Sequence, residues 1–146
     1  MTIRPAVVLA RLAHLGDIVQ QLDRLRALSP EDREDPLYRL AAERGVHVAL
    51  EAVFDIGHHV LAGRGHPVPA TYREVVPALV AHGILPAEYE ARLAGMAGMR
   101  NILVHDYVDV DIARVWAVLD ERLDDLQSVQ AAFAALPELA RGAETT

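Results

Sequence analysis

The sequence predicts an all-α protein, an up-and-down bundle of about five helices. Apolar side chains recur at alternating steps of three and four over long stretches, as amphipathic helices require. No segment alternates polar and apolar residues for the length of a convincing strand, and no internal repeat is visible. The connections between the periodic stretches are short enough for antiparallel neighbours.

Each element has its own reason. Val8, Leu12, Leu15, Val19 and Leu22 share one face of a first helix over residues 5–28, which Ser29-Pro30 ends. Glu31, Asp32, Glu34 and Asp35 then gather where the positive end of the next helix dipole attracts carboxylates. A second helix is predicted from Pro36 to Ala62, with Val46, Leu50, Val53, Gly57 and Val60 as its seam, and the turn-forming run from Gly63 to Pro69 closes it. Thr71 and Glu74 have the spacing of a capping box, opening a short third helix that stops near Gly83 and bends at Pro77. Pro86 suits the start of a fourth helix over residues 87–104, in which Gly95 and Gly98 read as points of close helix contact. Polar and β-branched residues from Asp106 to Asp111 break the pattern, and Asp111 can cap a fifth helix that reaches about Leu136. The expected organisation is one helical domain over residues 1–137 and a polar tail over 138–146.

Composition narrows the function. A chain of 146 residues, 52% hydrophobic and 24% charged, is the size of one domain. It can bury roughly 70% of the surface of its unfolded form without metals or cross-links. Cysteine is absent, which excludes disulfides, a thiol nucleophile and thiolate-bound metal. The longest early apolar run, Pro5 to Ala10, is too short to span a membrane or to serve as a secretory signal, so a cytoplasmic location without membrane contact is expected. The net charge is −7, so no broad basic surface is expected to gather nucleic acid, and no DNA partner is expected. All 14 basic residues are arginines, a bias better explained by genomic base composition than by phosphate recognition.

The richest cluster of reactive groups is Arg100-Asn101-Ile102-Leu103-Val104-His105-Asp106-Tyr107, which holds the chain's only asparagine. Positions five apart on a regular helix differ by about 140° around the axis, so Arg100 and His105 do not share a face. Unwinding of the helix near His105, together with a two-fold related copy facing the first, repairs the geometry, and a symmetric dimer is the natural solution. Imidazole, with a reference pKa near 6.5, moves protons at neutral pH, while guanidinium steadies charge on phosphate oxygens. The pair suits RNA cleavage by the 2′-hydroxyl with no metal. Spacing alone favours a plainer reading, a surface ion pair at Arg100 and a C-terminal histidine stabilised by the helix dipole.

That octapeptide, preceded by Gly98-Met99 and followed by an acidic stretch and a final helix, closely resembles the Arg-(x)4-His-x-Tyr signature of HepT-like toxins of the HEPN superfamily, which usually place a polar residue after the arginine. The similarity extends to Glu43-Arg44 and to His47–His59, and so over most of residues 5–136. The resemblance implies an all-helical, homodimeric, metal-independent endoribonuclease that needs no cofactor, with motifs from both subunits lining one cleft. Arg100, Asn101 and His105 take the catalytic positions. A minimal nucleotidyltransferase antitoxin is the implied partner, and transfer of AMP from ATP to Tyr107 is the implied control. AMP there would set a negative phosphate against the groups that RNA needs. The plain alternative makes Tyr107 a half-buried aromatic anchoring a turn, and the whole chain a non-catalytic HEPN-like module that binds a nucleotide or a partner.

In the second helix His47, Glu51, Asp55 and His58 follow at steps of four, four and three, on one face beside the seam. Glu51, Asp55 and His58 can border the cleft or form a solvated edge. A metal-binding bundle centred on Glu51 and His58 lacks a matching set on another helix. His14, His59, His66 and His82 read as surface or loop residues, and Trp116 as core.

Overall fold

The computed structural model describes the backbone of residues 2–106 and 108–144 and the side chains of residues 2–106 and 108–140. All regular structure among these residues is helical: α1 Pro5–Arg26, α2 Pro36–Gly63, α3 Val75–Ala81, α4 Tyr89–Arg92, α5 Met96–His105, α6 Ile112–Ala134 and α7 Pro137–Glu144. Single 3-10 turns at Asp32–Glu34 and Tyr72–Glu74 precede α2 and α3.

Helices α1, α2 and α6 form the trunk, each packed against the other two. The whole predicted face of α1 is buried, as is the seam of α2. Helix α6 completes the core with Val115, Leu119, Leu123, Leu126, Val129 and Phe133. Burying a side chain of this size contributes about 1.5–3 kcal/mol, and it is the periodic placing of many that fixes the three long helices together. The cap expected at Asp111 forms, accepting from Ala113 N at 3.0 Å, and Asp35 of the acidic cluster caps α2 by accepting from Leu37 N at 2.9 Å. Arg33 ties the α1–α2 connection to α6 through a bidentate pair with Asp120, and its guanidinium lies 4.6 Å from the Trp116 ring, which is core as expected. The partnership pushes the Arg33 pKa up and the Asp120 pKa down.

Five expectations are corrected. Thr71 makes no side-chain cap: the chain instead takes a 3-10 turn in which Glu74 N donates to the Thr71 carbonyl, and the α-helix begins at Val75. Pro77 does not need to bend α3, because it lies in the first turn, where its missing N–H costs no helical bond. The expected fourth helix is two pieces, α4 and α5, with the buried Leu93 at the break between them. Gly95 and Gly98 are not close contacts, since an added Cβ at either meets nothing within 4 Å. Close approach occurs at Gly57, where a Cβ would lie 3.0 Å from Val75 Cγ1 and 3.1 Å from Leu79 Cδ1, so that α3 rests on α2. Finally, residues 137–144 are helix rather than tail. Leu139 is buried, α7 packs on α1, and Glu138 pairs bidentately with Arg64 at 2.8 and 3.1 Å.

Two histidine placements differ from simple surface residues. The rings of His66 and His82 stack at 3.7 Å. His59 Nε2 accepts the Arg4 backbone N–H at 3.1 Å, just where α1 begins. Burial, then the charges of Arg11 and Arg4, hold the His59 pKa below 6.5. The unfolded chain therefore binds this proton first as pH falls, so the contribution of His59 is full above 6.5 and is lost as pH drops through the folded value. Asp55 acts oppositely at lower pH. Withdrawal from solvent and then the Glu51 charge raise its pKa above 3.8, so protonating it favours the fold. Urea unfolding midpoints at pH 7.5, 6.5 and 5.5 are expected to fall more for the wild type than for His59→Gln, which keeps an acceptor that does not titrate. Parallel profiles would remove His59 from the account.

Candidate active site

The site is built at the C-terminal half of α5, where that helix crosses α2. Arg100 faces α2 and the Tyr72–Glu74 turn, and only 14% of its side chain is exposed. Nε donates to Glu51 Oε1 at 2.7 Å, Nη1 to Asn101 Oδ1 at 3.2 Å and Nη2 to the Tyr72 hydroxyl at 3.2 Å. The guanidinium carbon also lies 4.0 Å from the centre of the Tyr72 ring. Behind Tyr72 stands the fully buried Phe54, ring centres 5.1 Å apart. The guanidinium is thus gripped on an edge and a face, and among the described residues its three bonds use three of its five N–H donors.

His105 is the last residue of α5, so the stretch from Arg100 to His105 is helical throughout and the helix ends only after it. The His105 side chain is exposed and lines a cavity of about 670 Å³, together with Tyr72, Arg73, Asn101, Ile102 and Arg114. Arg100 is not itself on that wall, but its two partners Tyr72 and Asn101 are. Within one chain, then, Arg100 and His105 do not converge directly: the histidine faces the cavity and the arginine stands behind it. Gly95 and Gly98 leave the wall open. Tyr107 lies outside the described residues.

The polar stripe of α2 divides. Glu51 and Asp55 line a groove between α1 and α2 rather than the His105 cavity, and Glu51 reaches the site through Arg100. His47 Nε2 lies 3.5 Å from the same Glu51 oxygen. His58 sits beside the Tyr72 ring at 5.9 Å, with its Nε2 buried and without a hydrogen-bond partner among the described residues. Among the described residues no group of three or more His, Asp or Glu is placed to hold a metal ion, and no helix is long and apolar enough to cross a membrane.

Tyr72, Arg73 and Arg114 escape a reading of the sequence. Tyr72 falls inside an apparent capping box, Arg73 follows it, and Arg114 is one arginine among many at the start of a helix. A tyrosine in a short polar connection is the one signal that could have drawn notice.

The family model for ribonuclease HepT-like proteins matches residues 12–132, which span the trunk helices and the whole Arg100–His105 segment. The chain belongs to this family. Among HepT-like relatives, a protein of Aphanizomenon flos-aquae named tRNA nuclease HepT is 28% identical over 118 residues, 80% of either chain. One of Shewanella oneidensis named mRNA nuclease HepT is 20% identical over 121 residues, covering 83% of this chain and 91% of its own. Two solved structures share the fold at 19% identity. The cytosolic protein YutE of Bacillus subtilis superposes with a TM-score of 0.84 over 97% of this chain and 96% of its own. The tri-AMPylated HEPN toxin of Shewanella oneidensis, in complex with an MNT antitoxin, gives 0.80 over 89% and 98%.

Proposed function

We propose that this HepT-like protein is the toxin of a toxin–antitoxin pair and cuts RNA without a metal ion. The observation that carries the reading is the cavity at the end of α5, with His105 on its wall and Arg100 held behind it by two other wall residues. The names of the two nuclease relatives support it.

In the reaction, the 2′-hydroxyl oxygen attacks the adjacent phosphorus and the P–O5′ bond breaks. One imidazole takes the 2′ proton and another proton donor protonates the leaving 5′ oxygen, giving a 2′,3′-cyclic phosphate and a 5′-hydroxyl. His105 fills one of these roles, and in a homodimer the second copy's His105 fills the other. The remaining N–H donors of Arg100 stabilise the charge on the phosphoryl oxygens. Asn101 orients Arg100, its amide oxygen accepting from Nη1. Purified protein in chelator is expected to yield these termini. Intact RNA together with tight binding of the antitoxin would favour the non-catalytic module, the reading to which the net charge of −7 lends weight.

Control is proposed through Tyr107. A nucleotidyltransferase antitoxin transfers AMP from ATP, forming a bond from the tyrosine oxygen to the α-phosphorus and releasing pyrophosphate. The AMPylated Shewanella oneidensis toxin supports this control step. Tyr72 is proposed as a positioning residue for Arg100. Tyr72→Phe keeps the ring and loses the hydroxyl, whereas Tyr72→Leu loses both. Activity is expected to fall in the order wild type, Phe, Leu, with kcat affected more than KM. Equal kcat in all three proteins would place Arg100 under other control.

A further inference from the structure

The cavity that carries His105 holds two more cations with no role in the reaction just described. Arg73 enters it from the turn before α3, and Arg114 from the first turn of α6. Both side chains are on exposed residues, and among the described residues neither has a carboxylate oxygen within 4.0 Å. Among the described residues Arg4, Arg11, Arg24 and Arg44 likewise have no carboxylate partner, whereas three arginines at packing sites are held. Arg33, Arg64 and Arg100 are each bonded to a carboxylate at 2.8 Å or less. Glu90 and Asp106 share the cavity wall with Arg73 and Arg114 yet lie beyond pairing distance of both. Neither arginine is thus tied to a carboxylate among the described residues, although the same wall carries Glu90 and Asp106.

A free guanidinium offers five N–H donors in a fork that fits phosphate oxygens. Two of them, on different elements but on the wall of one cavity with His105, can hold phosphates on either side of the bond being cut. A volume of about 670 Å³ lies within the ~300–1,000 Å³ usual for a site that engulfs a ligand the size of a nucleotide or two. Arg114 also lines a smaller cavity next to it, with Asp106, Asp109 and Asp111, which gives that arginine an outward limit as well as an inward one.

We propose that Arg73 and Arg114 are flanking-phosphate subsites, so that the ligand taken by this cavity is a single-stranded RNA with at least one phosphodiester beyond the scissile one. The proposal rests on the nuclease reading and assigns the phosphate contacts to two individual arginines of the cavity wall.

The test compares a dinucleotide, which carries only the scissile linkage, with a twelve-nucleotide single strand containing the same linkage. Wild type, Arg73→Ala, Arg114→Ala and the double variant are assayed as full chains, with thermal unfolding as the control for folding. On the longer RNA each substitution is expected to raise KM about tenfold, the scale of losing one charge-assisted phosphate bond. On the dinucleotide the loss is expected to be several-fold smaller. The salt dependence of binding reads the same contacts, and the double variant should lower the slope of log K against log salt by roughly 1.4, since each phosphate contact to a single strand contributes about 0.7. Equal losses on both substrates would overturn the proposal by placing the arginines at the scissile bond, and unchanged KM and slope would overturn it outright. Binding of the fluorescent twelve-mer to the His105→Ala protein, with and without the two arginines, reads the subsites even if no protein cleaves. A failed nuclease reading is thereby distinguished from a failed subsite.

Discussion

Replacing His105 by alanine is expected to lower RNA cleavage in chelator by about 10²–10⁴, the usual worth of a positioned acid or base. The loss should fall on kcat, with the melting temperature unchanged. The structure gives the reason for that separation: His105 is the exposed end of α5, and its side chain makes no hydrogen bond or ion pair among the described residues. Removing it deletes a reacting group and disturbs nothing else. The same cannot be said of Arg100, whose loss strands the Glu51 carboxylate that it now neutralises at 2.7 Å. His105→Ala is therefore the cleaner measurement. If single-turnover cleavage by the two proteins were equal, the chemistry would lie elsewhere.

Phe54→Ala is expected to destabilise the fold by about 3–5 kcal/mol, as large-to-small changes of a buried aromatic do. Phe54 is fully buried on α2, against Tyr72 and at the back of the His105 cavity, and its removal enlarges that space. Against the ~5–15 kcal/mol total stability of a typical domain, that is a large fraction. The midpoint of urea unfolding reports it, and Phe54→Leu should recover most of the loss because it keeps most of the volume. A second effect follows from the tilted contact with Tyr72. Without its backing ring, Tyr72 no longer holds the face of Arg100, so the protein that remains folded should cleave more slowly than the wild type. An unfolding midpoint like that of the wild type would show that Phe54 is not the centre of the core.

The long helices were legible because their burial is periodic. Val8, Leu12, Leu15, Val19 and Leu22 face the core from α1 as their spacing requires, and the same holds for the seam of α2. The break between α4 and α5 was not legible, because nothing in residues 87–104 disallows a continuous helix, and Leu93 is drawn inward only by the core that it meets. Helix α7 was hidden for a related reason. Eight residues scarcely support a helix alone, and this one depends on α1 for its apolar side and on Arg64 for Glu138. At the site, the residues Arg100 and His105 were visible as a motif, and Glu51 as a member of a stripe. That Glu51 and Arg100 meet was not, since they stand 49 residues apart.

By itself the sequence determined the helical class and the three trunk helices and singled out the Arg100–His105 segment as the candidate site, because side-chain period and local motif are properties of neighbours along the chain. The tertiary structure alone decided what holds Arg100, which side of α5 opens to the cavity, and that Tyr72, Arg73 and Arg114 surround it. Those contacts join residues far apart in the chain, and only the packing of α5 on α2 and on the Tyr72–Glu74 turn brings their side chains within bonding distance or onto one wall.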